Sequence, residues 1–477
     1  MGLRFSDWRQ FVKDVADFTQ VKKSGVNNNK NMLNHLKRVI YLEKCPRGRF
    51  MSVKRKYPID RDEAKSLPVF DYGTSKKSYK RVFVWGNLMS GALGIPYLRR
   101  NENVMHRETV DIPKRLGFAE KFPVTTAACG FGFTAFGVDT ESEDKLYGTG
   151  LNTDSQIGRH EVRQGHPLEI IYFPQAIKLP LKNPTKTRIR KLAAGRAHLV
   201  VLTDEGLFLL GNNAYGQCGR EIIQDENYFL SNYINHIPDI DSKKVTDIEC
   251  GQDHTLAVTD DGAVYSCGWG ADGQTGLGTF DNTSAFTRIT GEIESEKIVK
   301  ISSRSDFALA LNDRGEVFGW GNAEYDQIPT INNEQQVSNP VHLKHLKVGK
   351  VVDVAAGGSF CLALNEHGEV FVWGYGLVLG GPKAEQTSRP RKLPEVLFGR
   401  NDFQPNNRVV QVACGLSYAM AVTSLGDVYA WGRNMRGCLG LGFANDQNFP
   451  FKVALGGYAS KVFCGYDHTV ALCKPFI

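Results

Sequence analysis

The sequence predicts an all-β fold: a seven-bladed β-propeller of four-stranded blades, in which N- and C-terminal half-repeats pair to complete one blade. Three observations lead there. A unit of roughly 50 to 65 residues recurs seven times, each unit carries two signposts at nearly fixed separation, and the first and last units are complementary halves.

The first signpost is a small residue followed by glycine at the end of an apolar strand, at Gly130, Gly195, Gly251, Gly357, Gly415 and Gly465, with Arg304 standing where the fourth copy would have glycine. The second is a strand ending in glycine at Gly86, Gly150, Gly211, Gly268, Gly321, Gly374 and Gly432, preceded by Trp85, Trp320, Trp373 and Trp431 in four copies and by Thr149, Leu210 and Cys267 in the others. The separation is 17 residues in four copies, 16 in one and 20 in one, so the segment between them is one rigid hairpin. Asp260-Asp261-Gly262, Asp313-Arg314-Gly315, Glu366-His367-Gly368 and Ser424-Leu425-Gly426 supply its polar turn. Gly-rich tails follow, such as Gly216-Gln217-Cys218-Gly219 and Gly437-Cys438-Leu439-Gly440.

The ends decide closure. Val82-Phe83-Val84-Trp85-Gly86 has no signpost strand before it, and Cys464-Gly465-Tyr466-Asp467-His468 has no Trp-Gly strand after it. Each half therefore completes the other, which removes open sheet edges. The chain divides into a basic extension (1–56), a linker (57–80) and the propeller (81–477).

Composition agrees. Glycine contributes 49 of 477 residues, which suits many tight turns, and no apolar run is long enough to span a membrane as a helix. The net charge of +7 is uneven: residues 1–56 hold 14 Lys and Arg against 4 Asp and Glu, leaving the remainder at −3. A nearly neutral body does not grip duplex DNA electrostatically, so no DNA partner is expected. Ten cysteines form no CxxC pair. Cys129, Cys250, Cys414 and Cys464 share one strand position with Ala194 and Ala356, the position of a small buried residue.

The stretch from Cys250-Gly251-Gln252-Asp253-His254-Thr255 through Gly276 resembles the regulator-of-chromosome-condensation repeat, a resemblance that covers about residues 81–477. The blocks 81–86, 90–94, 267–278 and 474–477 are similar to mitochondrial members of that family. The resemblance implies a non-enzymatic scaffold in the mitochondrial matrix, with peripheral association to the inner membrane. It would support biogenesis of the large mitoribosomal subunit, together with pseudouridine synthases and other factors acting on large-subunit ribosomal RNA. The resemblance also implies an alternative, guanine-nucleotide exchange on a GTPase such as the dynamin-like GTPase of inner-membrane fusion.

No residue set reads as catalytic, metal-binding or cofactor-binding. His198, His254 and His468 occupy a position that holds Phe133, Phe307, Phe360 and Tyr418 in other copies, so they read as ring-shaped filling. Gly268, Gly270 and Gly273 match a dinucleotide fingerprint, but no helix follows, and that motif works only at a helix N-terminus. The four tryptophans read as packing residues between blades. Functional contacts are expected where the repeat breaks down: at Arg304 and in the connections 95–126, 159–190, 220–247 and 381–408. The first of these offers Arg99, Arg100, Arg107, Lys114 and Arg115, with His106, as contacts to RNA or a partner. A three-residue lengthening near Val138 to Lys145 bears no mark of a wedge for a GTPase. Residues 1–56 read as a mitochondrial targeting or disordered extension; Met32 to Lys56, with Glu43 as its one acid, fits a presequence better than the stretch containing Asp7, Asp14 and Asp17.

Overall fold

A computed structural model describes residues 81–95, 108–163, 165–330 and 334–475. The proposed extension and linker lie outside them, and so do His106, Arg99, Arg100 and Arg107. The described residues form seven four-stranded antiparallel sheets. Blade 1 is assembled from both ends: Arg81–Asn87 and Thr109–Arg115 join Tyr458–Cys464 and His468–Lys474. Blades 2 to 7 begin with inner strands at Val124–Cys129, Ile189–Ala194, Val245–Cys250, Ile298–Ser303, Val351–Ala356 and Val409–Cys414, and each continues outward through three more strands.

Closure is in register. Arg81 faces Cys473, Val84 faces Val470 and Gly86 faces His468, so an N-terminal strand lies directly on the C-terminal one. The second strand of each blade is buried on both faces, as in Phe133–Val138, His198–Thr203 and Phe360–Asn365. That is why these strands read as continuous apolar runs, whereas the outer strands alternate.

The two signpost glycines have different physical causes. At Gly195 the ring of His198 folds over the α-carbon, and a Cβ there would lie 2.2 Å from His198 Cε1; Gly130 with Phe133 and Gly415 with Tyr418 repeat the arrangement. At Gly268 the backbone has φ of +116°, and a Cβ would meet the Asp253 carbonyl at 2.5 Å.

The position after the first signpost fastens neighbouring blades. The Nε2–H of His198 donates to Thr255 Oγ1 (3.1 Å), that of His254 to Ser303 Oγ (3.2 Å) and that of His468 to Thr134 Oγ1 (2.8 Å), each on the next blade. Tyr418 donates to the His468 carbonyl at 2.7 Å. The tryptophans do the same toward the preceding blade: Trp85, Trp320, Trp373 and Trp431 donate Nε1–H to the carbonyls of Cys438, Gln274, Gln327 and Val378 at 2.8 to 3.0 Å. Histidines and tryptophans are thus both structural. Burial pushes His198 and His254 down to about 3, so they are neutral at physiological pH.

Candidate interaction face

Two sets of loops converge on one face of the ring: those joining the first and second strands of each blade, and the Gly-rich tails after the third. Backbone hydrogen bonds tie the first set from blade to blade, with Tyr466 N–H to Gly130 O, Phe131 to Gly195, Arg196 to Gln252, Gln252 to Ser305 and Gly358 to Leu416. The side chains that project from this belt differ from blade to blade, because the belt is held by backbone and leaves them unconstrained.

Blades 2 to 5 make this face acidic. Arg196 pairs with Asp253 at 2.6 Å and lies in the field of Asp306, while Asp154 acts on Asp253 and Asp272 on Asp306, so the four carboxylates form one chain of interacting charges. Asn212 donates to Asp154 (2.8 Å), Gln252 to Asp306 (3.1 Å) and Gln336 to Asp272 (2.7 Å), so neutral amides hold most of these carboxylates in place without cancelling their charge. Burial, reinforced by Asp272 and Asp253, pushes the Asp306 carboxyl up to about 6. Aromatic pairs bridge adjacent blades beside them: Phe131 with Tyr466, Tyr215 edge-on to Trp269 and Tyr325 stacked on Tyr375. Asp253 and Asp306 share a repeat position with Asp467, and Asp154 and Asp272 share one four residues after the second signpost, but the repeat does not show that the two positions meet across blades.

Arg304 lies inside the central channel. Its Nη1 donates to the Cys129 carbonyl on the opposite side at 3.0 Å, and it lines a cavity of about 300 Å³. Lys191, paired with Asp247 at 2.5 Å, and Lys300, paired with Asp353, line the same shaft. Lys114 and Arg115 lie instead on the outermost strand of blade 1, Arg115 in an ion pair with Glu120 at 2.5 Å. The structure therefore does not bring Arg304 together with Lys114 and Arg115. In the lengthened hairpin, Lys145 donates to Thr140 O and to Thr185 O, which folds the loop back onto the blade. Nine cysteines are buried with free thiols, and no cluster suited to a metal occurs among the described residues.

Fold and face together define a closed propeller whose blade-to-blade loops gather on one face. Family models of the regulator of chromosome condensation (RCC1) repeat match residues 81–136, 204–258, 261–311, 314–364 and 426–472, and the chain belongs to that family. It is 43% identical to the mouse "RCC1-like G exchanging factor-like protein" over 91% of this chain and 95% of the relative, and 42% identical to the human protein of that name over 86% and 90%. The crystal structure of human WBSCR16 superposes with a TM-score of 0.78 at 42% identity, covering 83% of this chain and all of that one.

Proposed function

We propose that the propeller is a non-enzymatic binding scaffold that docks a protein partner on the acidic, aromatic loop face. The observation that carries this reading is the interacting group Asp154, Asp253, Asp272 and Asp306, with Arg196 paired to Asp253, flanked by exposed and half-buried aromatic rings. Such a surface repels RNA phosphate and suits a partner that presents Lys or Arg, with the aromatic rings as contact area.

In the finer reading the scaffold works in the mitochondrial matrix on large-subunit ribosomal RNA, through pseudouridine synthases and other assembly proteins. The resemblance to mitochondrial family members and the +10 charge of residues 1–56 support it. Direct RNA contact in this reading would fall to Arg99, Arg100, Arg107, Lys114 and Arg115, of which Lys114 and Arg115 lie on the outer strand of blade 1. The second reading is guanine-nucleotide exchange on a GTPase docked at the same face, supported by the exchange-factor name of the mouse and human relatives.

Crosslinking in isolated mitochondria separates the two. Recovery of large-subunit ribosomal RNA with its modifying enzymes is the outcome expected of the assembly scaffold, while faster GDP release from a purified mitochondrial GTPase is expected of the exchange factor. Purely cytosolic protein would contradict the mitochondrial assignment.

A further inference from the structure

Two of the connections that interrupt the repeat, 159–190 and 220–247, meet between blades 2 and 3 and enclose a cavity of about 360 Å³. That is within the size range of small-ligand pockets. Arg159, His160 and Lys178 come from blade 2, and Ser231, Asn232 and Tyr233 from blade 3; no aspartate or glutamate lines it. We propose that this cavity is a nucleotide site, with the phosphate held by Arg159 and Lys178 and the base laid on the Tyr233 ring.

The donors are positioned for this. Arg159 is fixed by Nη1 donating to the Leu230 carbonyl at 3.0 Å and by Nη2 pairing with Glu161, which holds its guanidinium at the cavity. Lys178 is exposed and forms no ion pair among the described residues, so its ammonium is free to meet an anion. A phosphate oxygen is the acceptor that suits both groups at once.

The base position rests on Tyr233, whose side chain is 57% exposed. The Arg220 guanidinium stands 4.8 Å from its ring centroid and is itself locked by Glu226 at 2.5 Å, so the ring is steadied on one face by a part-buried ion pair. A planar base stacks on such a ring. His160 donates through Nε2 to the Ile157 carbonyl at 2.9 Å, and burial holds its pKa down, so Nδ1 is a neutral acceptor for an amino or hydroxyl group of the ligand. Phosphate donors, a stacking ring and a neutral acceptor in one pocket describe a nucleotide, whether free or as one unit of a single strand.

The test titrates the full chain with inorganic phosphate, GMP and a fluorescein-labelled ten-residue oligouridylate. Both substitutions used, Lys178→Gln and Tyr233→Ala, are on exposed side chains, and Lys383→Gln on blade 6 is the control. Expected is binding that weakens about tenfold in each of the two variants, as loss of one base stack does, and is unchanged in the control. Binding of GMP as tight as that of the oligonucleotide identifies a free nucleotide as the ligand; binding of the oligonucleotide alone identifies a single strand. The proposal is overturned if neither probe binds, if both variants bind like the wild type, or if phosphate alone binds as tightly as GMP and Tyr233→Ala has no effect.

Discussion

Replacing His198 and His254 together by phenylalanine should flatten the acid side of the protein's stability curve. Both imidazoles are fully buried, with Nδ1 lacking a partner, and burial holds them at about 3 against about 6.5 for a free histidine. A group whose folded pKa lies below its unfolded value takes up a proton on unfolding. Its stability contribution is complete above pH ~6.5 and is lost as pH falls toward about 3. At pH 5 the deficit is about 1.5 pH units for each residue, so ~2 kcal/mol each and ~4 kcal/mol for the pair. Phenylalanine does not titrate, and Phe133, Phe307 and Phe360 show that the position accepts it. Thr255 Oγ1 keeps its bond to the Gln217 carbonyl (2.7 Å) and Ser303 Oγ its bond to the Phe307 carbonyl (2.7 Å), so neither hydroxyl is orphaned. Urea unfolding at pH 7.5, 6 and 5 measures the effect. An acid-induced loss of stability that is identical in wild type and double variant would refute the reasoning, because every other titrating group is common to both.

Gly268→Ala should cost at least ~2 kcal/mol, since it forces a Cβ onto a backbone with φ of +116° and against the Asp253 carbonyl; thermal melting measures it. Trp320→Phe should lower stability by ~1 to 3 kcal/mol by removing the bond to the Gln274 carbonyl and leaving a void, again read by melting. Ending the chain after Gly457 removes both C-terminal strands of blade 1 and leaves Arg81–Asn87 without its inner partner. Cooperative unfolding should disappear, and a well-folded monomeric product would argue against closure by paired ends. Arg304→Gly restores the residue of the other copies and should cost ~1 kcal/mol through loss of the bond to the Cys129 carbonyl, without changing partner binding at the loop face.

The ring was legible because its two glycines answer to backbone and packing constraints that recur in every blade. Gly195 is required by the His198 ring and Gly268 by a left-handed φ, and neither depends on what the protein binds. The same constraint let Arg304 stand out as a break, though where its side chain goes depends on Cys129, 175 positions earlier and across the channel. The convergence of the loop-face carboxylates was not legible. Asp154, Asp253, Asp272 and Asp306 come from three blades and from two kinds of loop, and only the packing of successive blades brings them into electrostatic contact. The connections 159–190 and 220–247 were visible as insertions, but their convergence on one cavity follows from the neighbouring positions of blades 2 and 3. Patterns repeated in sequence report the scaffold, whereas a binding surface is assembled from the positions where each repeat differs.

The claim that this scaffold docks a protein through its loop face is tested most directly by placing a photoreactive amino acid at Tyr215, within that face, and separately at Leu425, in the hairpin turn of blade 7. Illumination in intact cells should join a discrete protein partner to the Tyr215 position, and substituting Asp253 and Asp306 by asparagine should reduce that product strongly. A partner captured at Leu425 and not at Tyr215, or capture at Tyr215 that ignores both asparagine substitutions, would contradict the account.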